Sequence, residues 1–251
     1  MGVRDAATRA GRERDHFDQL ADEQGDVWWG HTTPLGQERL SLRVRLLGAV
    51  LDRIREPRCL ELGCGVGTFT GPLLDARPTL HLTGIDVSPR CVELARTRLA
   101  RFANTAFRLG DAGQLAFPPQ SIDVVFGNGV LHHVDLEQTL AELRRVLRPG
   151  GWIWFSEPNM LNPQVALERN VRVLGRWLQN SPDETAFVRH PLSKRLRGAG
   201  WDNVTVRPFD FLHPGLPRAF LRPVRAVSEV LERTPLLREI AGSLEIVARK
   251  P

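Results

Sequence analysis

The sequence predicts an α/β protein built on a doubly wound, mostly parallel sheet of seven strands. Three observations predict it. From Arg58 onward, short apolar runs alternate with helical runs, the order in which a parallel sheet is wound. The first apolar run, Cys59 to Leu62, enters the glycine turn Gly63-Cys64-Gly65-Val66-Gly67 and a helical run follows. Such a turn brings backbone close to a nucleotide-like ligand. The second apolar run, Leu80 to Ile85, ends at an acid, Asp86.

The remaining elements follow in order. A helix is expected over Thr68–Ala76, just beyond the glycines. Ser88 then offers an N-cap and Pro89 a first helical residue, for a helix running to about Phe102. Ala106–Leu109 is the third strand. Ile122–Phe126 is the fourth, after the turn Pro118-Pro119-Gln120. Leu136–Leu147 is a helix stopped by Pro149-Gly150-Gly151, and Trp152–Ser156 is the fifth strand. Leu192–Gly200 is a helix, and Asn203–Pro208 and Leu244–Ala248 are the last two strands, with a helix near Pro217–Glu232 between them. Upstream of the sheet, His16, Phe17, Leu20 and Ala21 share helical spacing, as do apolar residues between Glu38 and Ile54. Trp28-Trp29 sits in a glycine-flanked turn between them. Glu157 to about Pro182 interrupts the rhythm with a helical pattern too long for a simple crossover.

Composition bounds the function. The chain has 251 residues, 42% hydrophobic and 25% charged, the balance of one globular α/β domain. No apolar run approaches the roughly 20 residues of a membrane-spanning helix. The charged N-terminus has no apolar signal-peptide core. Cys59, Cys64 and Cys91 lack metal-ligand spacing and read as buried thiols of a reducing cytoplasm, so no metal is expected. The net charge is +5. Its arginines are scattered, without a basic run interleaved with aromatics, so nucleic acid is not the expected partner. The sequence contains no tyrosine, which removes one common general base. The Leu-rich segment Ala219–Ile240 is amphipathic, either covering the sheet or facing lipid. Peripheral membrane association therefore stays open, and nothing specifies an oligomeric state.

Glu61 stands just before the glycines, where a phosphate-binding loop would not want a negative charge. The turn thus points to a cationic, nucleoside-bearing cofactor. Asp86 is placed to bind ribose hydroxyls. Asp111, after Gly110 at the end of the third strand, can accept a hydrogen bond from an adenine amine. A nicotinamide-dinucleotide oxidoreductase would share the turn and Asp86, but would not explain Gly110-Asp111 or Leu147-to-Gly151.

The words LELGCGVGTFT, GIDVS, GDAGQLAFPPQSIDVVFGNGVLHHV and LRPGGWIWFSEP, in this order, resemble class I S-adenosylmethionine-dependent methyltransferases. Within them the chain looks most like the ubiquinone and menaquinone biosynthesis methyltransferases. The resemblance covers roughly residues 58–157. It implies one domain over 1–251: an N-terminal helical lid (1–55), a cofactor-binding core (56–157), a substrate-cap insert (158–200), and C-terminal strands and helix (201–251). The cofactor it implies is S-adenosyl-L-methionine. Glu61 would meet the methionine ammonium, and Gly63, Cys64, Gly65 and Gly67 would form the turn beneath methionine and ribose. Asp86 would hold the ribose, Val87 would pack on adenine, and Asp111 and Ala112 would contact its edge. Asn128 and Val130 would line the floor, and Phe17 would cover the cofactor from the lid.

The implied reaction is methyl transfer to a small-molecule acceptor, at oxygen first, with nitrogen and carbon open, and a hydrophobic or lipid-linked acceptor favoured. Candidate acid/base residues are His133 and His132, which follow the fourth strand, Glu157 at the end of the fifth, and His31 beside Trp28-Trp29. The histidines have bland alternatives: a helix cap for the pair, solvation for His31. The methyl donor needs no metal, and adjacent histidines do not share a helix face as a zinc pair would. Arg169, Arg172 and Arg176 have one-face helical spacing, as an anion site or a solvated surface. A base-modifying methyltransferase would carry an Asn/Asp-Pro-Pro-aromatic word where Gly127-Asn128-Gly129-Val130 stands.

Overall fold

The computed structural model describes residues 2–24, 31–171, 181, 185–213, 215 and 218–251. Helices α1 (Gly2–Gln24) and α2 (Pro34–Leu51) precede the sheet. Strand β1 (Arg58–Leu62), helix α3 (Thr70–Ala76), β2 (His81–Asp86), α4 (Pro89–Arg98) and β3 (Thr105–Leu109) form the first half. Then come β4 (Ile122–Asn128), α5 (Leu136–Val146), β5 (Leu147–Pro158), α6 (Pro163–Asn170), α7 (Arg189–Gly198), β6 (Asp202–Phe209), α8 (Leu221–Arg233) and β7 (Ser243–Arg249). The strand order is β3-β2-β1-β4-β5-β7-β6, with β7 antiparallel to both neighbours. The seven-stranded, mostly parallel expectation is met.

Strand periodicity fills both faces. Leu60, Leu62, Val125, Ile153 and Phe155 turn to one face, against Leu140 and Leu143 of α5 and Leu192 and Leu196 of α7. Cys59, Val124, Phe126 and Trp154 turn to the other, against Leu40, Leu47 and Leu51 of α2 and Leu73 and Leu74 of α3. Complete burial of each such side chain contributes about 1.5–3 kcal/mol, so these faces hold the sheet together. Trp154 stacks on Phe69 with centroids 6.0 Å apart, and its Nε1 donates to Glu245.

Some boundaries shift from expectation. Helix α3 begins at Thr70 rather than Thr68 because the glycine turn runs on into the intervening residues. Strand β5 is longer than Trp152–Ser156: Leu147 already pairs with Ile122, and a bulge absorbs Pro149-Gly150 before Trp152 pairs with Val124. The β5–α7 connection contains α6, and the β6–β7 connection contains α8. Trp28, Trp29, Arg172 and Arg176 lie outside the described residues. Among the described residues, no helix is long and apolar enough to cross a membrane and no group of metal-binding side chains occurs.

The functional consequence lies in the winding. β1 and β4 are neighbours, yet the chain leaves β1 toward β2 and leaves β4 toward β5. This reversal opens a crevice at the carboxyl ends of β1 and β4, where open α/β sheets bind ligands.

Candidate cofactor and acceptor site

The glycine turn occupies that crevice. Gly63 and Gly67 have φ of +63° and +81°, the left-handed region that side chains rarely adopt. A Cβ on Gly63 would lie 2.8 Å from Val130 Cγ2, and one on Gly67 would lie 2.8 Å from Leu99 Cδ1. The turn is thus clamped between the segment after β4 and the end of α4. A Cβ on Gly65 would meet nothing within 4 Å, so that part of the turn faces open space. Cys64 is buried, and burial holds its thiol well above the ordinary range, so it is not a nucleophile.

Two acids flank the turn. The Thr70 hydroxyl donates to Glu61 Oε2 at 2.8 Å. Burial pushes the Glu61 carboxyl up to about 8, Thr70 opposes the shift, and the Asp86 charge adds to it. Asp86 ends β2, where Gly65 N donates to Oδ2 at 2.8 Å and Ser88 N to Oδ1 at 2.9 Å. Burial also raises the Asp86 carboxyl, against those backbone donors. Each carboxylate oxygen has a second lone pair, so both can take a further donor. Val87 is half-buried beside it. Asp111 is exposed, accepts from Gly113 N and bridges to Gln114, shaping a turn, while Ala112 is buried.

The opposite wall follows β4. Glu157, fully buried at the end of β5, accepts from Val130 N at 3.0 Å and Leu131 N at 2.9 Å, and faces His132 Nδ1 at 2.6 Å. Its carboxylate orients the wall and is engaged on both oxygens. The His133 ring lies beside that of His132, centroids 4.0 Å apart, with its Nδ1 3.0 Å from Glu13 Oε2 of α1. The sequence reading of these three as acid/base candidates left out such partners.

Helix α1 fastens onto this wall. Arg9, Glu13 and Phe17 fall at i, i+4 and i+8 on one helix face. Arg9 Nη2 donates to the His132 carbonyl at 2.7 Å, and the Phe17 ring meets the His133 ring edge-on at 5.2 Å. Glu13 also accepts from Ser181 Oγ. The adjacent face holds α4: Asp18 accepts from Ser88 Oγ and Arg90 N, and Asp22 from Arg90 Nε. Ser88 in turn caps α4 by accepting from Cys91 N at 2.9 Å. One helix therefore spans both the His132-His133 wall and the Asp86 side of the crevice.

The sequence reading missed a buried arginine. Arg43 Nε donates to Asn128 Oδ1 and Ser156 Oγ, both at 3.1 Å, and Nη2 to Ser243 Oγ at 2.8 Å. Arg43 and Arg39 both pair with Asp210 Oδ2, at 2.9 and 2.8 Å. Burial lowers Arg43 to about 10 against the raising effect of Asp210. Burial would raise Asp210, but Arg43 and Arg39 outweigh it and hold the carboxyl below its usual range. This network ties α2 to the carboxyl ends of β4, β5 and β6. His31 lies in its field: burial, then the charges of Arg43 and Arg39, push its ring down to about 4. His31 therefore lies near these arginines. Its only signal in sequence is that Arg43 falls between Leu40 and Leu47 on the buried face of α2.

Residues 60–155 match the family model described as a methyltransferase domain. A demethylmenaquinone methyltransferase of Tropheryma whipplei is 40% identical over 37% of this chain and 38% of its own length. A trans-aconitate 2-methyltransferase of Methylobacterium radiotolerans is 34% identical over 54% of this chain and 52% of its own. The chain thus spans about two fifths to half the length of these relatives. A solved S-adenosylmethionine-dependent methyltransferase of Thermotoga maritima shares the fold at TM-score 0.67 and 19% identity, over 94% of this chain and 99% of its own. Residues 60–155 thus match a methyltransferase domain, and the chain as a whole shares the fold of a solved S-adenosylmethionine-dependent methyltransferase.

Proposed function

We propose that this chain, working as one domain over 1–251, transfers a methyl group from S-adenosylmethionine to an oxygen of a small hydrophobic acceptor. The observation that carries the reading is the chain of contacts from lid to turn. Asp18 binds Ser88, the Ser88 amide binds Asp86, and Asp86 binds the Gly65 amide.

The residues fit a nucleoside that bears a cation. Asp86 keeps lone pairs for a ribose diol, and Val87 offers an apolar surface to an adenine, with Asp111 and Ala112 at its edge. Glu61 is a buried carboxyl whose raised proton affinity an ammonium would relieve. When bound, S-adenosylmethionine supplies a methyl group already electrophilic on its sulfonium. What remains for the protein is alignment and exclusion of water. Asn128 and Val130 form the floor, held by Arg43 and Glu157. Phe17 and α1 close the roof. His132, His133 and Glu157 are committed to one another or to the lid. We therefore assign the acceptor an oxygen that is acidic enough to arrive ionised, with these residues positioning it rather than removing its proton. The relative named for trans-aconitate favours an acidic acceptor, and the relatives named for demethylmenaquinone keep a quinone-type acceptor as the second reading.

Calorimetry tests the cofactor: S-adenosylmethionine and S-adenosylhomocysteine bind and NAD does not. Asp86→Ala weakens both ligands by at least about tenfold, the loss of a charge-assisted contact, with the fold intact. Binding of NAD alone, or unchanged affinity in the variant, overturns the reading. A panel of carboxylic acids and phenols with methyl-labelled cofactor then tests the oxygen.

A further inference from the structure

The exposed large apolar side chains among the described residues gather on two connections of the sheet. Among the described residues, ten large hydrophobics are exposed, and only Leu109 lies outside segments 161–171 and 220–240. Those segments are the connections β5–α7 and β6–β7. Because β6 ends where β7 begins, at Phe209 opposite Ser243, and Ser243 pairs with Pro158 at the end of β5, both connections leave the carboxyl edge of the sheet. That is the edge of the glycine turn. Asn162 Nδ2 donates to the Ile240 carbonyl and Asn159 Nδ2 to the Glu239 carbonyl, tying the two segments together.

Helix α8 carries apolar residues on its exposed side as well as on its inward side. Ser228 is its buried residue, Leu221, Val224 and Leu231 are half-buried on the same face, Glu232 accepts from Asp210 N, and Arg225 pairs with Glu38 of α2. Phe220, Pro223, Val227 and Val230 form a single stripe at helical spacing. Phe220 is 52% exposed, Val227 56% and Val230 64%, and Leu236 beyond the helix is 85% exposed. The stripe opens onto a groove of 290 Å³ whose lining includes Phe211, Val224 and Leu231. Exposed Arg222 and Arg233 flank it on a chain of net charge +5.

We infer that this face docks on an anionic lipid bilayer, with α8 lying in the interface plane. An amphipathic helix with an apolar stripe and flanking arginines is the form that lies in a headgroup region. The arginines complement anionic lipid. A lipid surface also accounts for the position on the carboxyl edge, because it presents a hydrophobic acceptor beside the crevice. The inference does not depend on the methyl-transfer reading, since vesicle binding is read without cofactor.

The test is flotation of the whole protein with vesicles of phosphatidylcholine alone or mixed with phosphatidylglycerol, with light scattering of the free protein alongside. The wild type floats with the phosphatidylglycerol mixture, and added salt weakens it. Val227→Glu/Val230→Glu/Leu236→Glu abolishes flotation while circular dichroism is unchanged. Arg222→Gln and Arg233→Gln each weaken it about fivefold, the equivalent of about 1 kcal/mol per basic residue. Val230→Trp strengthens it. A folded wild type that stays with the unbound fraction overturns the inference. So does a dimer that the triple glutamate variant makes monomeric, which would give this face to a second copy of the chain.

Discussion

Replacing Glu61 by glutamine separates the stability of the free protein from its affinity for a cationic ligand. In the folded chain the Glu61 carboxyl is held near 8, against an ordinary 4.5. Its folded pKa is raised, so its contribution to stability is complete below 4.5, falls as pH rises, and is fully lost above about 8. At about 1.36 kcal/mol per unit, pH 7 stands about 2.5 units into that window, an upper bound near 3 kcal/mol. Glutamine keeps an oxygen for the Thr70 hydroxyl and removes the titration. Glu61→Gln is therefore expected to stabilise the free protein by under about 1 kcal/mol at pH 5 and by up to about 3 kcal/mol at pH 7. Urea unfolding across that range is the assay. Binding moves oppositely. If an ammonium requires ionised Glu61, wild-type affinity for S-adenosylmethionine rises by up to about tenfold per pH unit between about 5.5 and 7.5, where the ligand's own amine stays charged. Methylthioadenosine, which lacks that amine, shows no such slope, nor does the variant. A stability gain independent of pH, or equal slopes for both ligands, would refute the reasoning.

Gly63→Ala adds a Cβ 2.8 Å from Val130 Cγ2 at φ +63°. About 1–2 kcal/mol of left-handed strain and at least another 1 of overpacking make it roughly 2–4 kcal/mol less stable in urea. Val130→Ala in the same chain recovers only the packing share. Arg43→Met leaves Asp210 buried with Arg39 alone and lowers stability by about 3–5 kcal/mol in the same assay, with Asp210→Asn restoring part of it. Glu13→Ala removes the contact to His133, and we expect faster proteolytic cleavage within residues 2–24 and an S-adenosylmethionine KM several-fold higher. Unchanged cleavage would mean that α1 is held without that contact.

What the sequence made legible was local. The run ending at Asp86 reads as a strand because alternate apolar residues fill both faces, and Ser88-Pro89 reads as a helix start because its cap is chemical: Ser88 Oγ accepts from Cys91 N. The glycine turn was readable because few residue types tolerate its φ values. What escaped was long-range. Asp210 lies 171 positions from Arg39, and an arginine in a helix reads as solvated until its carboxylate is found. Glu157 was placed at the carboxyl edge from strand order alone, but the amides of Val130 and Leu131 that engage it belong to a turn with no sequence signature. Glu13, one helical turn before Phe17, gave no hint that it would meet His133.

The run of contacts Asp18–Ser88–Asp86–Gly65 has a thermodynamic corollary. A ligand that strengthens Asp86 in its place also strengthens what holds α1, and linkage is reciprocal. By whatever factor a bound nucleoside shifts the equilibrium toward docked α1, a docked α1 tightens the nucleoside. A substitution at Asp18, which need touch no ligand, would then be felt as a weaker affinity, and the grip of α1 and the occupancy of the crevice would be two readings of one coupling free energy.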